Sequence, residues 1–120
     1  MKERESRFVL FKQWLREHTQ LEERPRGDVV SRAKRVERGL PIMNGGHDLD
    51  DEYLRDGLAS VLQTLEYSRE DEHSCKVPPA GIAFRIDPQN PLYYQRVREG
   101  LASLRAAIEY YRDFCGSSRI

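Results

Sequence analysis

Apolar residues recur every three or four positions over most of the chain, the spacing of helices that bury one face. Phe8, Phe11, Leu15 and His18 share such a face, widened by Val9, Leu10 and Trp14, and predict a first helix over about Ser6–His18. Pro25 and Gly27 then predict a break, because proline cannot continue a helix and glycine permits a turn. Asp28 is a good N-cap for a second helix, in which Val29, Ala33, Val36 and Leu40 fall in one arc, with Gly39 and Pro41 as its end. After the turn-rich Asn44-Gly-Gly46, Asp50 is placed to cap a third helix with the stripe Leu54, Leu58, Val61, Leu62 and Leu65, ending near Tyr67.

Residues 68–89 break this rhythm. Their charged start and the prolines 78, 79 and 88 predict one long loop, within which Ile82, Phe84 and Ile86 alternate with Ala83 and Arg85 as a short extended segment pinned to the core. In the final helix, Asn90 is the expected cap, Pro91 the first helical residue and Gly116 the stop. Its residues Tyr94, Val97, Leu101, Leu104, Ile108, Tyr111 and Cys115 are separated alternately by three and four positions, a heptad seam. The seam suits either the central core helix of a monomer or a homodimer joined through 94–115. The fold class expected is all-α, a bundle of four to five helices forming a single domain over 1–120 with one long loop.

Composition narrows the class. At 120 residues, 38% apolar and 33% charged, the chain has a thin core under long charged side chains. Two cysteines, Cys75 and Cys115, without CxxC spacing, fit reduced thiols better than a disulfide framework, although their pairing stays open. No apolar run reaches the roughly 20 residues of a membrane span, and none follows the N-terminus as in a signal peptide. A cytoplasmic location and no membrane partner are expected.

Charge is balanced in total but not along the chain. Residues 1–40 carry 11 Lys/Arg against 7 Asp/Glu, residues 41–80 carry 3 against 9, and residues 81–120 carry 6 against 4. Ser31, Lys34, Arg35 and Arg38 fall on the polar side of the second helix with Arg32 at its edge, an arrangement able to contact successive phosphates. Arg105 and Arg112, one heptad apart and joined by Arg98, are candidate extensions, with Glu109 set against them. The competing reading of the same face is a solvated helix surface.

The acidic stretch Asp48, Asp50, Asp51, Glu52 and Asp56 lacks the central glycine and distal glutamate of a calcium loop and reads as helix capping. His47, His73 and Cys75 have no metal-ligand spacing, and Asn44-Gly-Gly46 lacks the phosphate-loop pattern. No cofactor, metal or catalytic motif is expected.

The quoted helices resemble a known family. Phe11-Lys-Gln-Trp-Leu15, the capped Asp28-Val-Val-Ser-Arg-Ala-Lys-Arg-Val36 and the closing Leu101-Ala-Ser-Leu-Arg-Ala-Ala-Ile-Glu-Tyr-Tyr-Arg-Asp-Phe114 resemble the SAM-like core-binding domain of tyrosine recombinases and phage integrases. The resemblance covers about 8–40 and 92–115, and implies a helical domain that cradles duplex DNA. The catalytic domain of that family has no counterpart here, so the resemblance implies binding without strand transfer. The first functional reading is a small helical, non-enzymatic DNA-associated protein, stand-alone or an accessory of a mobile element or defence system. The second is an interaction module or small inhibitor that meets a protein partner through Asp48–Asp56 or the long loop. A basic face free of carboxylates favours the first; Glu37 and the acidic cluster folded onto that face would remove it.

Overall fold

The computed structural model describes residues 2–118, with side chains from residue 6 to residue 117. Its helices are α1 (Lys2–His18), α2 (Glu23–Met43), α3 (Leu49–Asp56), α4 (Ala59–Thr64), α5 (Arg69–His73) and α6 (Tyr93–Ser118), with no strand among the described residues. The all-α expectation holds. Helix α6 is the axis of the fold and packs against each of the other five. Its seam residues Val97, Leu101, Leu104, Ile108, Tyr111 and Cys115 are buried within the chain, whereas Tyr94 stays half-buried at the margin. The seam is therefore filled by the chain's own core. Phe8, Phe11 and Leu15 of α1, Val29, Ala33, Val36 and Leu40 of α2, and Leu49, Leu58, Val61 and Leu65 of the α3–α4 region complete it.

Several boundaries differ from the sequence expectation. Helix α2 starts before Pro25 and runs through Gly27, because Glu22 is its N-cap and Pro25 lies in the first turn. The first four backbone N–H groups of a helix have no helical acceptor, so the missing proline hydrogen costs no bond there. Asp28 is an ordinary helical residue. At the other end α2 continues past Gly39 and Pro41 to Met43, which packs against the core, and Asn44 closes it with its N–H on the Leu40 carbonyl at 2.9 Å. Tertiary burial of Met43 outweighs the single hydrogen bond that Pro41 forgoes.

The predicted third helix is two helices. Asp48, not Asp50, caps α3, accepting the Asp51 N–H at 2.8 Å. Gly57 and Leu58 then adopt left-handed backbone, with φ of 68° and 69°, and turn the chain before α4. This turn breaks the face on which Leu54 was placed. Leu58, Val61 and Leu65 are buried and Leu62 half-buried, but Leu54 is 67% exposed. Val9 and Leu10 are likewise exposed, since α1 meets its neighbours along only one narrow stripe. His18 is exposed and stacks on the half-buried Trp14 at 4.9 Å.

Segment 68–89 is not one loop. Ser68 and Asp71 form a reciprocal capping box that starts α5, and Glu72 then ties α5 to α6 through Arg98 at 2.6 Å. Residues 81–86 form an irregular strap over α2 and α6, with Ile82 buried and Phe84 and Ile86 packed on the core. Before α6, Asn90 accepts the Leu92 N–H at 2.8 Å, so its capping role is local and the regular helix begins at Tyr93. Gly116 does not end α6, which reaches Ser118. Cys75 is exposed, Cys115 is buried, and the two do not form a disulfide with each other. Among the described residues no helix is long and apolar enough to cross a membrane.

Candidate functional site

The strap creates a basic concavity. Arg35 and Arg38 on the outer side of α2, Arg85 on the strap and Arg96 on α6 border one cleft of about 620 Å³. Gly81, Ala83, Phe84, Ile86 and Gly100 supply the rest of its lining, and no described carboxylate is among them. None of the four guanidinium groups forms an ion pair with a described carboxylate.

Three glycines make this geometry possible. A Cβ on Gly39 would lie 2.5 Å from the Gly81 carbonyl oxygen, and one on Gly81 2.5 Å from the Gly39 carbonyl oxygen. The strap backbone thus touches the α2 backbone directly. A Cβ on Gly100 would meet the Phe84 ring at 2.9 Å, so α6 also makes room. Phe84 in turn carries the Arg35 guanidinium over its ring at 5.3 Å, and Arg35 donates to the Ala83 carbonyl. Burial, then the proximity of Arg38 and Arg85, pulls the Arg35 pKa down. Three like charges crowd here, and an anion in the cleft would relieve their repulsion.

The sequence-predicted basic residues divide. Arg35 and Arg38 belong to the cleft. Ser31 and Lys34 border a separate groove of about 280 Å³ between α1 and α2, where the Lys34 ammonium sits 5.5 Å from the Phe8 ring centre. Arg32 is half-buried and lines neither. Arg105 lies nine residues from Arg96, half a turn around α6, so it points away from the cleft. Arg112 is exposed in a shallow groove beside Glu109 and Asp113. Arg98, joined to Arg105 and Arg112 in the sequence reading, is held by Glu72. Arg85 and Arg96 were missed. Their signal is indirect: Gly39 and Gly100 stand inside helical stretches and Gly81 just ahead of residues 82–86, as glycines do where a backbone or ring must come close.

The acidic candidates are largely committed to the fold. Asp48 caps α3. Asp50 turns inward, accepting from the Tyr111 hydroxyl at 2.8 Å and pairing with Arg7 at 3.3 Å. Glu52 is buried, accepting from Asn44 at 2.8 Å and from Arg55. Asp56 accepts from the Ser60 backbone and hydroxyl, hydrogen bonds that hold its carboxyl below the usual range. Asp51 is exposed in the first turn of α3. Glu37 also leaves the basic face: only 3% exposed, it accepts from the Leu49 N–H at 2.9 Å and pairs with Arg7 at 3.2 Å. The face is not neutralised from either source.

Compared with protein-family models, with curated proteins and with solved structures, the chain matches none.

Proposed function

We propose that this protein binds nucleic acid through its phosphate backbone, with Arg35, Arg38, Arg85 and Arg96 as the phosphate-contacting residues. The observation that carries the reading is the convergence of four guanidinium groups on one cleft without a described carboxylate in its lining. Guanidinium groups offer planar pairs of donors that match phosphate oxygens. Crowded cations left without counter-charge are also costly in the free protein, and a polyanion offsets that cost on binding. The core-binding resemblance points the same way, since it implies a helical domain that holds DNA with its helix faces and loops. The protein-partner reading has less support, because most of its acidic residues already serve capping and core contacts.

The test is a fluorescence-anisotropy titration of labelled DNA, single-stranded and annealed, with the wild type, Arg35→Glu/Arg38→Glu and Arg85→Glu/Arg96→Glu. Four phosphate contacts predict a wild-type affinity that falls roughly 50- to 150-fold between about 50 and 200 mM salt. Both double variants should lose at least about tenfold at the lower salt. Arg85 and Arg96 are exposed, so the second variant retains the fold. Unchanged binding in that variant, or none by the wild type at low salt, rejects the reading.

A further inference from the structure

Resting on the phosphate-binding reading, we infer that the cleft holds a single strand, with the strap backbone contacting base edges while the arginines hold the phosphates. Three observations favour one strand over a duplex.

The cations converge rather than spread. A duplex presents phosphates on two strands across a groove of about 6 or 12 Å, and a protein that grips it needs cations along an extended face. Here the basic residues that would widen the footprint go elsewhere: Lys34 to the α1–α2 groove, Arg105 to the opposite flank of α6, and Arg112 to a carboxylate-flanked groove. A cleft of about 620 Å³ has the dimensions of a small-ligand site. It accommodates a short piece of one backbone.

Acidic residues bound the basic area closely. Asp87 lies two residues beyond Arg85, and Glu99, three residues after Arg96, is exposed on α6. A narrow strand seated in the cleft avoids both, whereas a wide rigid duplex brings further phosphates towards them.

The strap offers hydrogen-bonding groups that suit the edges of unpaired bases. Residues 82–86 form no backbone–backbone hydrogen bond among the described residues, and of their carbonyls Ala83 alone has a side-chain donor, Arg35. Beside these groups stands the half-buried Phe84 ring with its Arg35 partner. Free backbone donors and acceptors next to an aromatic ring and guanidinium planes suit the splayed bases of a single strand. In a duplex the Watson–Crick edges are occupied.

The test compares three labelled probes of equal length: a mixed-sequence single strand, its annealed duplex, and an abasic single strand that keeps the phosphates. Each is titrated against wild type and Arg85→Glu/Arg96→Glu, with circular dichroism melts to establish that the variant is folded. The single strand should bind at least about tenfold tighter than either of the others, as expected for stacking of even one base. Its logarithmic salt slope should be close to −3, the single-strand value for four contacts. The double variant should remove this binding. A duplex that binds equally well or better, with the loss intact in the variant, overturns the single-strand inference and leaves the phosphate-binding reading standing. An abasic strand that binds as well as the normal one overturns the base contacts in the same way. Binding that ignores the charge reversals, or no binding to any probe, overturns the phosphate-binding reading itself.

Discussion

Tyr67 and Tyr111 each bury a phenol that the fold keeps protonated. Tyr67 donates to the Lys76 carbonyl at 2.6 Å, and burial, then nearby Tyr94 and Asp71, pushes its pKa up to about 12. Burial and the Asp50 carboxylate also push the Tyr111 hydroxyl up, although Arg7 opposes them. Below about pH 10 both phenols are neutral in the folded and the unfolded chain, so their contribution is constant. Above that pH the unfolded chain releases protons that the folded chain retains. Stability must then fall as pH rises from about 10 through the folded pKa of Tyr67, by up to about 1.4 kcal/mol per pH unit for each group. Urea midpoints measured from neutral to strongly alkaline pH should show this decline, and Tyr67→Phe should make it shallower while lowering stability at neutral pH by about 1 kcal/mol through loss of the Lys76 bond. An unchanged alkaline slope would show that Tyr67 does not couple to folding. Glu37 acts at the same scale. Its carboxylate holds both Leu49 N–H and Arg7, so Glu37→Ala leaves a buried donor unpaired and should cost about 2–3 kcal/mol in the same denaturation experiment.

Among the elements, the strap depends on two glycines in a way that a third does not share. Gly39 sits inside α2, where alanine is normally preferred by about 1 kcal/mol. Its Cβ would nevertheless strike the Gly81 carbonyl, a backbone atom that cannot rotate away. Gly39→Ala should therefore destabilise the protein by about 1–3 kcal/mol through overpacking and displace the strap. Gly27→Ala, also within α2 and with nothing within 4 Å of the new methyl, should stabilise it by about 0.5–1 kcal/mol. Opposite signs in thermal melts of these two variants would establish the backbone contact; equal effects would refute it. The same contact shows what sequence reasoning could reach. The helices were legible where apolar periodicity is long, as in α6 and the Val29–Leu40 arc of α2, because burial enforces it. Local breakers misled where tertiary position changed their meaning: Pro25 in a first turn, Pro41 ahead of a packed Met43, and Gly57–Leu58 as a turn inside an apparently continuous stripe. The Ser68–Asp71 capping box was readable but obscured by the charged residues around it.

Across the whole molecule, core and cleft share helices but not side chains. One side of α6 presents Val97, Leu101, Leu104 and Ile108 to the core, while Arg96 and Gly100 face the cleft; α2 divides in the same way between Val36 and Leu40 on one side and Arg35 and Arg38 on the other. This is why half of the site was visible beforehand. Arg35 and Arg38 declare a polar face within one helix, but Arg85 and Arg96 join them only when the strap crosses Gly39 and Gly100, and no local pattern encodes that crossing. The division also predicts that stability and binding separate. Leu104→Ala empties fully packed volume at the centre of the fold and should cost about 2–5 kcal/mol. Arg85→Ala/Arg96→Ala removes two exposed charges from a crowded basic cluster and should change stability by no more than about 0.5 kcal/mol, upward where the relief of repulsion by Arg35 and Arg38 prevails. Mild denaturation temperature scans give the first number, and the anisotropy titration gives the second variant's loss of affinity. If Arg85→Ala/Arg96→Ala instead melted the protein as severely as Leu104→Ala, the arginines would be part of the scaffold, and their convergence would need an explanation from folding rather than from a bound phosphate backbone.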